Sequence, residues 1–69
     1  MTNTKLLNDA IVNKGLKKEW IAKQLGITRV ALFEKINNRS EFKASEVAKL
    51  SKILSLPDYD RELIFLSLL

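Results

Sequence analysis

A helical repeat of apolar residues, interrupted twice by glycine, constrains this 69-residue chain more than any other feature. Apolar residues recur at steps of three and four, and no stretch of four or more alternates as a strand would. Gly15 and Gly26 each follow one of these stretches, at the place where a residue in the left-handed conformation ends a helix. The pattern therefore predicts an all-α fold, a compact single domain of five helices over residues 1–69.

Residues that cap or break helices separate the five predicted helices. Hydroxyl and amide side chains cap a helix by accepting a backbone N–H, whereas Gly, Asn and Pro are found where helices end. The fourth helix is predicted from about Ala44 to Leu54, and the fifth over residues 59–69. The residues that mark the other helix ends are Thr2, Asn3 or Thr4 before the first helix, then Gly15, Gly26, Thr28, Asn37, Asn38 and Pro57.

Two residue types that often stabilise small domains or carry their chemistry are missing, because the chain has no cysteine and no histidine. Disulfides and Cys/His zinc sites are therefore excluded, and so are catalytic arrangements that depend on histidine. The carboxylates form no evident pair and no metal-ligand spacing. We accordingly expect a protein that is not an enzyme and that uses no cofactor and no metal.

The apolar residues are too dispersed along the chain to predict a membrane segment. No apolar run approaches the ~20 residues that span a bilayer. The first five residues lead into a mixed stretch rather than into the apolar block of a signal peptide. We therefore expect a cytoplasmic protein with no membrane partner.

Positive charge is concentrated in the middle of the chain. Residues 13–43 carry a net charge of +5, whereas the remainder carries −1. A basic segment with nearly neutral flanks is typical of a surface that meets a polyanion. Charge alone leaves a second interpretation open, in which these lysines form an ordinary solvated surface.

Residues 18–37 have the pattern of two helices joined by a tight turn. Ala22 supplies the small side chain that such a crossing needs, and Gly26 adopts the positive φ of the turn at little steric cost. Thr28 caps the second helix of the pair. This segment resembles the helix-turn-helix of the phage Cro and repressor class, which implies a lambda-repressor-like fold and DNA binding.

One position departs from the pattern of that class. The class usually has Ile, Leu or Val three residues after Leu32, where this chain has Lys35. Ile36 lies four residues after Leu32 and can occupy the inward position instead. We therefore expect a third helix that is slightly rotated or extended relative to the usual unit.

A narrower resemblance covers nearly the whole chain. Its motifs are similar to those of a family of small phage proteins described as Cro-like regulators, which implies a role in the lysis–lysogeny switch of a temperate phage or prophage. The segments that carry this resemblance are KGLKK at 14–18, AKQLGIT at 22–28, KINN at 35–38, EFKASEV at 41–47 and IF at 64–65.

The resemblance also implies which residues contact double-stranded operator DNA. The second motif helix would lie in the major groove, where Arg29 could donate two hydrogen bonds to a guanine. Phe33 has two open interpretations, a base contact or a core residue. The predicted base contacts are Thr28, Arg29, Val30, Phe33, Glu34 and Asn37. The predicted phosphate contacts are Lys17, Lys18, Arg39 and Lys43.

Apolar side chains outside the motif have to find buried positions as well. Trp20 and Phe42 are expected to fill the small core rather than to stack on bases. The segment 63–69 carries six large apolar side chains, which one helix cannot all turn inward. A homodimer is therefore predicted, with a helix buried wholly in its own core as the alternative. The predicted interface residues are Leu63, Ile64, Phe65, Leu66, Leu68 and Leu69.

A second function from a different class stays open. The same scaffold could act as an anti-repressor, which binds a partner phage repressor by protein–protein contact and masks its DNA-binding surface. The modest net charge of +4 and the weakly polar set Val30, Phe33 and Glu34 favour this reading. The basic middle segment and Arg29 favour DNA binding.

Overall fold

A computed structural model describes residues 1–65, and its secondary structure in this range is entirely helical. The all-α prediction with five helices is confirmed. The Cα radius of gyration is 10.7 Å. In chain order the helices are α1 (Thr4–Lys14), α2 (Lys18–Leu25), α3 (Arg29–Ile36), α4 (Ala44–Ile53) and α5 (Asp58–Phe65).

The predicted caps and helix ends within residues 1–65 are confirmed, and the predicted end of the fifth helix at residue 69 lies outside the described residues. Asn3 Oδ1 accepts the backbone N–H of Leu6 at 3.1 Å to begin α1, and Gly15 ends α1 with φ +71°. Asn38 has φ +63°, the left-handed conformation expected after α3. These ends are set by residues within a few positions of each other, which is why the local sequence predicts them.

One buried cluster connects the helices. In this cluster α2 packs against α3 and α4, and α1 packs against α5 and α3. Phe42, as expected, packs against the core, where its ring meets the edge of Phe65 at a centroid distance of 5.7 Å. The largest fully buried side chains are Leu7, Ile21, Leu32, Ile36 and Leu50.

The structure corrects the expected position of Trp20. This side chain is 45% exposed, because neighbouring Ile21 takes the fully buried position on α2. Adjacent residues of a helix point about 100° apart, and the buried side of α2 is the one that Ile21 and Ala22 share, which turns Trp20 toward the edge of the core. Trp20 therefore belongs to the surface between α2 and α3.

Part of the predicted dimer interface is also corrected. Ile64 and Phe65 are only 3% and 6% exposed, and they complete the core of their own chain instead of presenting apolar surface to a second copy. Leu63 is exposed, as the prediction requires. The predicted interface residues Leu66, Leu68 and Leu69 lie outside the described residues.

Within residues 1–65, none of the helices combines the length and the apolar character that crossing a bilayer requires.

Candidate nucleic-acid interface

A three-residue turn connects α2 to α3. Gly26 has φ +72°, and the next residue, Ile27, donates its backbone N–H to the carbonyl of Ala22 at 3.0 Å. Thr28 Oγ1 then accepts the backbone N–H of Ala31 at 3.0 Å and begins α3. The turn thus reverses the chain and starts the second helix within the span that the sequence predicts.

The two faces of α3 are separated by the helical repeat. Leu32 and Ile36 are buried, so Ile36 occupies the inward position that the sequence assigns to it. Val30 is 67% exposed and Phe33 is 51% exposed on the outward face. All of the predicted base-contact residues are exposed: Thr28, Arg29, Val30, Phe33, Glu34 and Asn37.

Phe33 lies on the surface, which decides between its two open interpretations against a core position. The guanidinium carbon of Arg39 lies 5.8 Å from the centre of the Phe33 ring, within the range of a cation–π contact. Asn37 Nδ2 donates to the carbonyl of Phe33 at 2.9 Å. A predicted phosphate contact and two predicted base contacts are therefore neighbours at the C-terminal end of α3.

The inward side of α3 carries a polar contact that the sequence pattern does not predict. Lys35 Nζ donates to Glu46 Oε1 at 2.5 Å, with side chains only 12% and 8% exposed. The same Oε1 atom accepts the backbone N–H of Lys43 at 2.8 Å, just before α4 begins. One carboxylate oxygen therefore connects α3 with the start of α4.

Opposing effects act on the charge of Glu46. Burial raises the pKa of its carboxyl, because a low-dielectric surrounding disfavours the charged form. The hydrogen bonds from Lys35 and from the backbone of Lys43, together with the positive charges of both lysines, outweigh burial and lower the pKa below its usual value. The sequence signal for this pair was Lys35 itself, which stands where the helix-turn-helix class usually has an apolar residue. A lysine at a buried position needs a partner for its charge.

A second group of basic side chains surrounds the start of α2. Lys17 immediately precedes α2, and its side chain makes no cap to the helix. Exposed Trp20 lies beside Lys17, Lys23 and Arg29 around an open depression between α2 and the first turn of α3, which Glu19 also lines. The predicted phosphate contact Lys17 and the predicted base contact Arg29 thus border the same depression, and Trp20 is the residue there that the helical spacing missed.

The segment after α3 is fastened to the beginning of the chain. Asn38 Oδ1 accepts the backbone N–H of Thr2, and Asn38 Nδ2 donates to the Thr2 carbonyl, both at 2.8 Å. Thr4 Oγ1 donates to the carbonyl of Ile36 at 2.6 Å. The C-terminal end of α3 is therefore held by residues that precede or begin α1, a connection that no local pattern predicts.

Lys18, Arg39 and Lys43 complete the predicted phosphate contacts. Lys18 is half-buried as the first residue of α2, whereas Arg39 and Lys43 are exposed in the segment between α3 and α4. Within residues 1–65, no group of three acidic side chains lies close enough together to hold a metal ion. Comparison with protein-family models, with curated proteins and with solved structures finds no match for this chain.

Proposed function

We propose that this protein is a sequence-specific double-stranded DNA-binding regulator, of the Cro-like repressor kind that its motifs resemble. The observation that carries the proposal is the outward face of α3, which follows a tight turn and presents Arg29 one residue after the capping Thr28. A helix held in this way can enter a major groove, where a guanidinium reads guanine and an exposed valine packs on a thymine methyl group.

Charge on both flanks of α3 supports the same function. Lys17 and Lys18 lie at the start of α2, and Arg39 and Lys43 lie beyond the end of α3. Contacts from such residues to phosphates set the position of a protein on DNA and provide affinity without sequence information. The described face thus combines candidate base contacts with candidate phosphate contacts.

The proposed DNA-binding species is a homodimer. Exposed Tyr59 and Leu63 are one turn apart on α5 and leave apolar surface uncovered in the single chain. Two helix-turn-helix units read half-sites about 34 Å apart and so recognise more base pairs than one unit can. Sedimentation of the wild type and of Leu63→Glu tests this part, with a shift of the variant toward the monomer as the expected result.

The experiment that tests DNA binding is selection from a pool of randomised duplexes, followed by titration of the selected and unselected DNA. At about 50 and about 200 mM salt, the eight phosphate contacts of a homodimer, four from each chain, predict that log affinity falls with log salt at a slope of roughly −7. Lys18→Ala removes one candidate contact, and Lys52→Ala removes the same charge from the exposed surface of α4 as a matched control. Equal binding to all duplexes, or none, would contradict the proposal.

The apolar part of the outward face favours one other function. Val30 and Phe33 are large and exposed, and Arg39 lies over the Phe33 ring, which suits a partner with an apolar and acidic surface. The second candidate is therefore an anti-repressor that binds a partner phage repressor and masks its DNA-binding surface. Absence of DNA selection, together with tight binding to a purified helix-turn-helix repressor that Phe33→Ala weakens, would favour this candidate over DNA reading.

A further inference from the structure

We propose that Glu46 is a positioning residue, which sets the orientation of α3 and the place of the following phosphate-contacting segment through a single carboxylate oxygen. The effect of Glu46 on DNA discrimination rests on the proposed function, whereas its effect on the orientation of α3 can be measured on the protein without DNA. Glu46 is buried on α4, and its hydrogen bonds join it to Lys35 and Lys43 rather than to a candidate base contact.

Two hydrogen bonds converge on the Oε1 atom of Glu46. One comes from Lys35 Nζ on the inward side of α3 at 2.5 Å, and the other comes from the backbone N–H of Lys43 at 2.8 Å. Lys35 belongs to the helix proposed to read bases, and Lys43 belongs to the segment proposed to contact phosphate. A shift of Glu46 therefore moves both groups of contacts together.

An apolar side chain at position 35 would not impose the same geometry. Apolar contacts are non-directional and tolerate sliding and rotation of one helix on another. A charge-assisted hydrogen bond is short and directional, and a buried lysine that loses it is left without a partner. The pair thus restricts α3 to the orientation in which the Lys35 and Glu46 side chains meet.

The segment between α3 and α4 is attached to the rest of the protein at both ends. Asn38 attaches the end next to α3, and Glu46 attaches the end next to α4. Asn38 is hydrogen-bonded to the backbone of Thr2. Arg39 lies over Phe33 between the two attachments. Loss of the Glu46 contacts should therefore release Lys43 and the side of α3 that carries Lys35, while the Asn38 and Thr4 contacts at the end of α3 persist.

The geometric test measures the distance between α3 and α4 without DNA. The chain has no cysteine, so Val30→Cys and Lys52→Cys place one spin label on each helix at exposed positions. The background variants are Glu46→Gln, which keeps an oxygen acceptor at the same place, and Lys35→Leu/Glu46→Leu, which replaces the pair by apolar residues. The double variant is expected to fold, because replacing a whole buried pair by apolar residues is often neutral or stabilising.

The expected result is a narrow distance distribution in the wild type and in Glu46→Gln, and a shifted or broadened one in the double variant. The ratio of affinities for selected and random DNA, measured on unlabelled protein, should fall about tenfold in the double variant. Glu46→Gln should keep that ratio within about twofold. A role confined to stability would leave the ratio of the folded double variant unchanged.

The two proposals fail in different ways. A double variant whose distances coincide with those of the wild type overturns the positioning role, whatever the DNA data show. A wild type that does not discriminate between duplexes overturns the proposed function, whereas shifted distances in the double variant would still support the role of Glu46 in orienting α3.

Discussion

The outward and inward faces of α3 are built from different kinds of interaction. The outward face consists of exposed side chains that have few partners within the chain, such as Arg29 and Val30. The inward face joins apolar burial at Leu32 and Ile36 to the paired charge of Lys35. Single substitutions on the outward face should therefore change binding at nearly constant stability, whereas single substitutions on the inward face should change stability first.

The largest effect is expected from breaking the buried pair. Lys35→Ala leaves the Glu46 carboxylate buried without its cation, which typically lowers the free energy of unfolding by about 3–5 kcal/mol. Urea denaturation measures the change. The control is Lys5→Ala, which breaks the exposed Lys5–Asp9 pair at 2.9 Å and should lower stability by at most about 1 kcal/mol. Equal losses of unfolding free energy in the two variants would show that the Lys35–Glu46 pair contributes no more to stability than an exposed ion pair.

Arg29→Ala should produce the main effect on the outward face. Loss of a bidentate guanine contact is expected to weaken binding to the selected duplex by about 1–3 kcal/mol and binding to random DNA much less. The unfolding free energy should stay within about 0.5 kcal/mol of the wild type, because Arg29 is exposed. Fluorescence anisotropy on both duplexes gives the ratio. If that ratio did not change, Arg29 would not be a base contact.

Acid should weaken the inward face through Glu46. Its pKa in the folded protein is below the ordinary value of 4.5, so ionised Glu46 stabilises the fold above that pH. As the pH falls below 4.5, the Glu46 carboxyl takes up a proton in the unfolded chain before it does so in the folded protein. The stabilisation is therefore lost progressively until the pH has fallen through the lower pKa of the folded state. Urea midpoints measured across this acidic range should fall more steeply in the wild type than in Glu46→Gln.

The smallest effect is expected for a single phosphate contact. Lys18→Ala should weaken binding to selected and random duplexes alike, and make the salt slope shallower by about one per chain of the homodimer, since each chain then releases one counterion fewer. Lys52→Ala, which removes an equal charge from exposed α4 surface, should leave the slope unchanged. A change in the selected-to-random ratio for Lys18→Ala would move this residue from the phosphate contacts to the residues that determine specificity.

Helix ends were predictable from sequence because each depends on a few neighbouring residues. Gly26 and Asn38 have positive φ, and Thr28 Oγ1 accepts the N–H three residues later. The exposed face of α3 was predictable for a similar reason, because the helical repeat turns Arg29 and Phe33 away from buried Leu32.

The apolar spacing did not predict which side chain of two adjacent residues is buried. The apolar spacing permits either Trp20 or Ile21 to point inward, and packing placed Ile21 in the core and left Trp20 exposed. The same periodicity suggested an unpaired apolar surface at Ile64 and Phe65, yet both side chains are buried against their own chain. Such choices depend on the volume that other helices leave free, which no single helix encodes.

The five helices, their ends within residues 1–65 and the outward residues of α3 follow from local conformational preference and from the period of the apolar residues. The choice of Ile21 over Trp20, the attachment of Asn38 to Thr2 and the meeting of Lys35 with Glu46 came only with the tertiary structure. The physical reason is range: caps and turns are satisfied within about four residues, whereas a buried carboxylate is satisfied by whichever donor the packed helices bring to it.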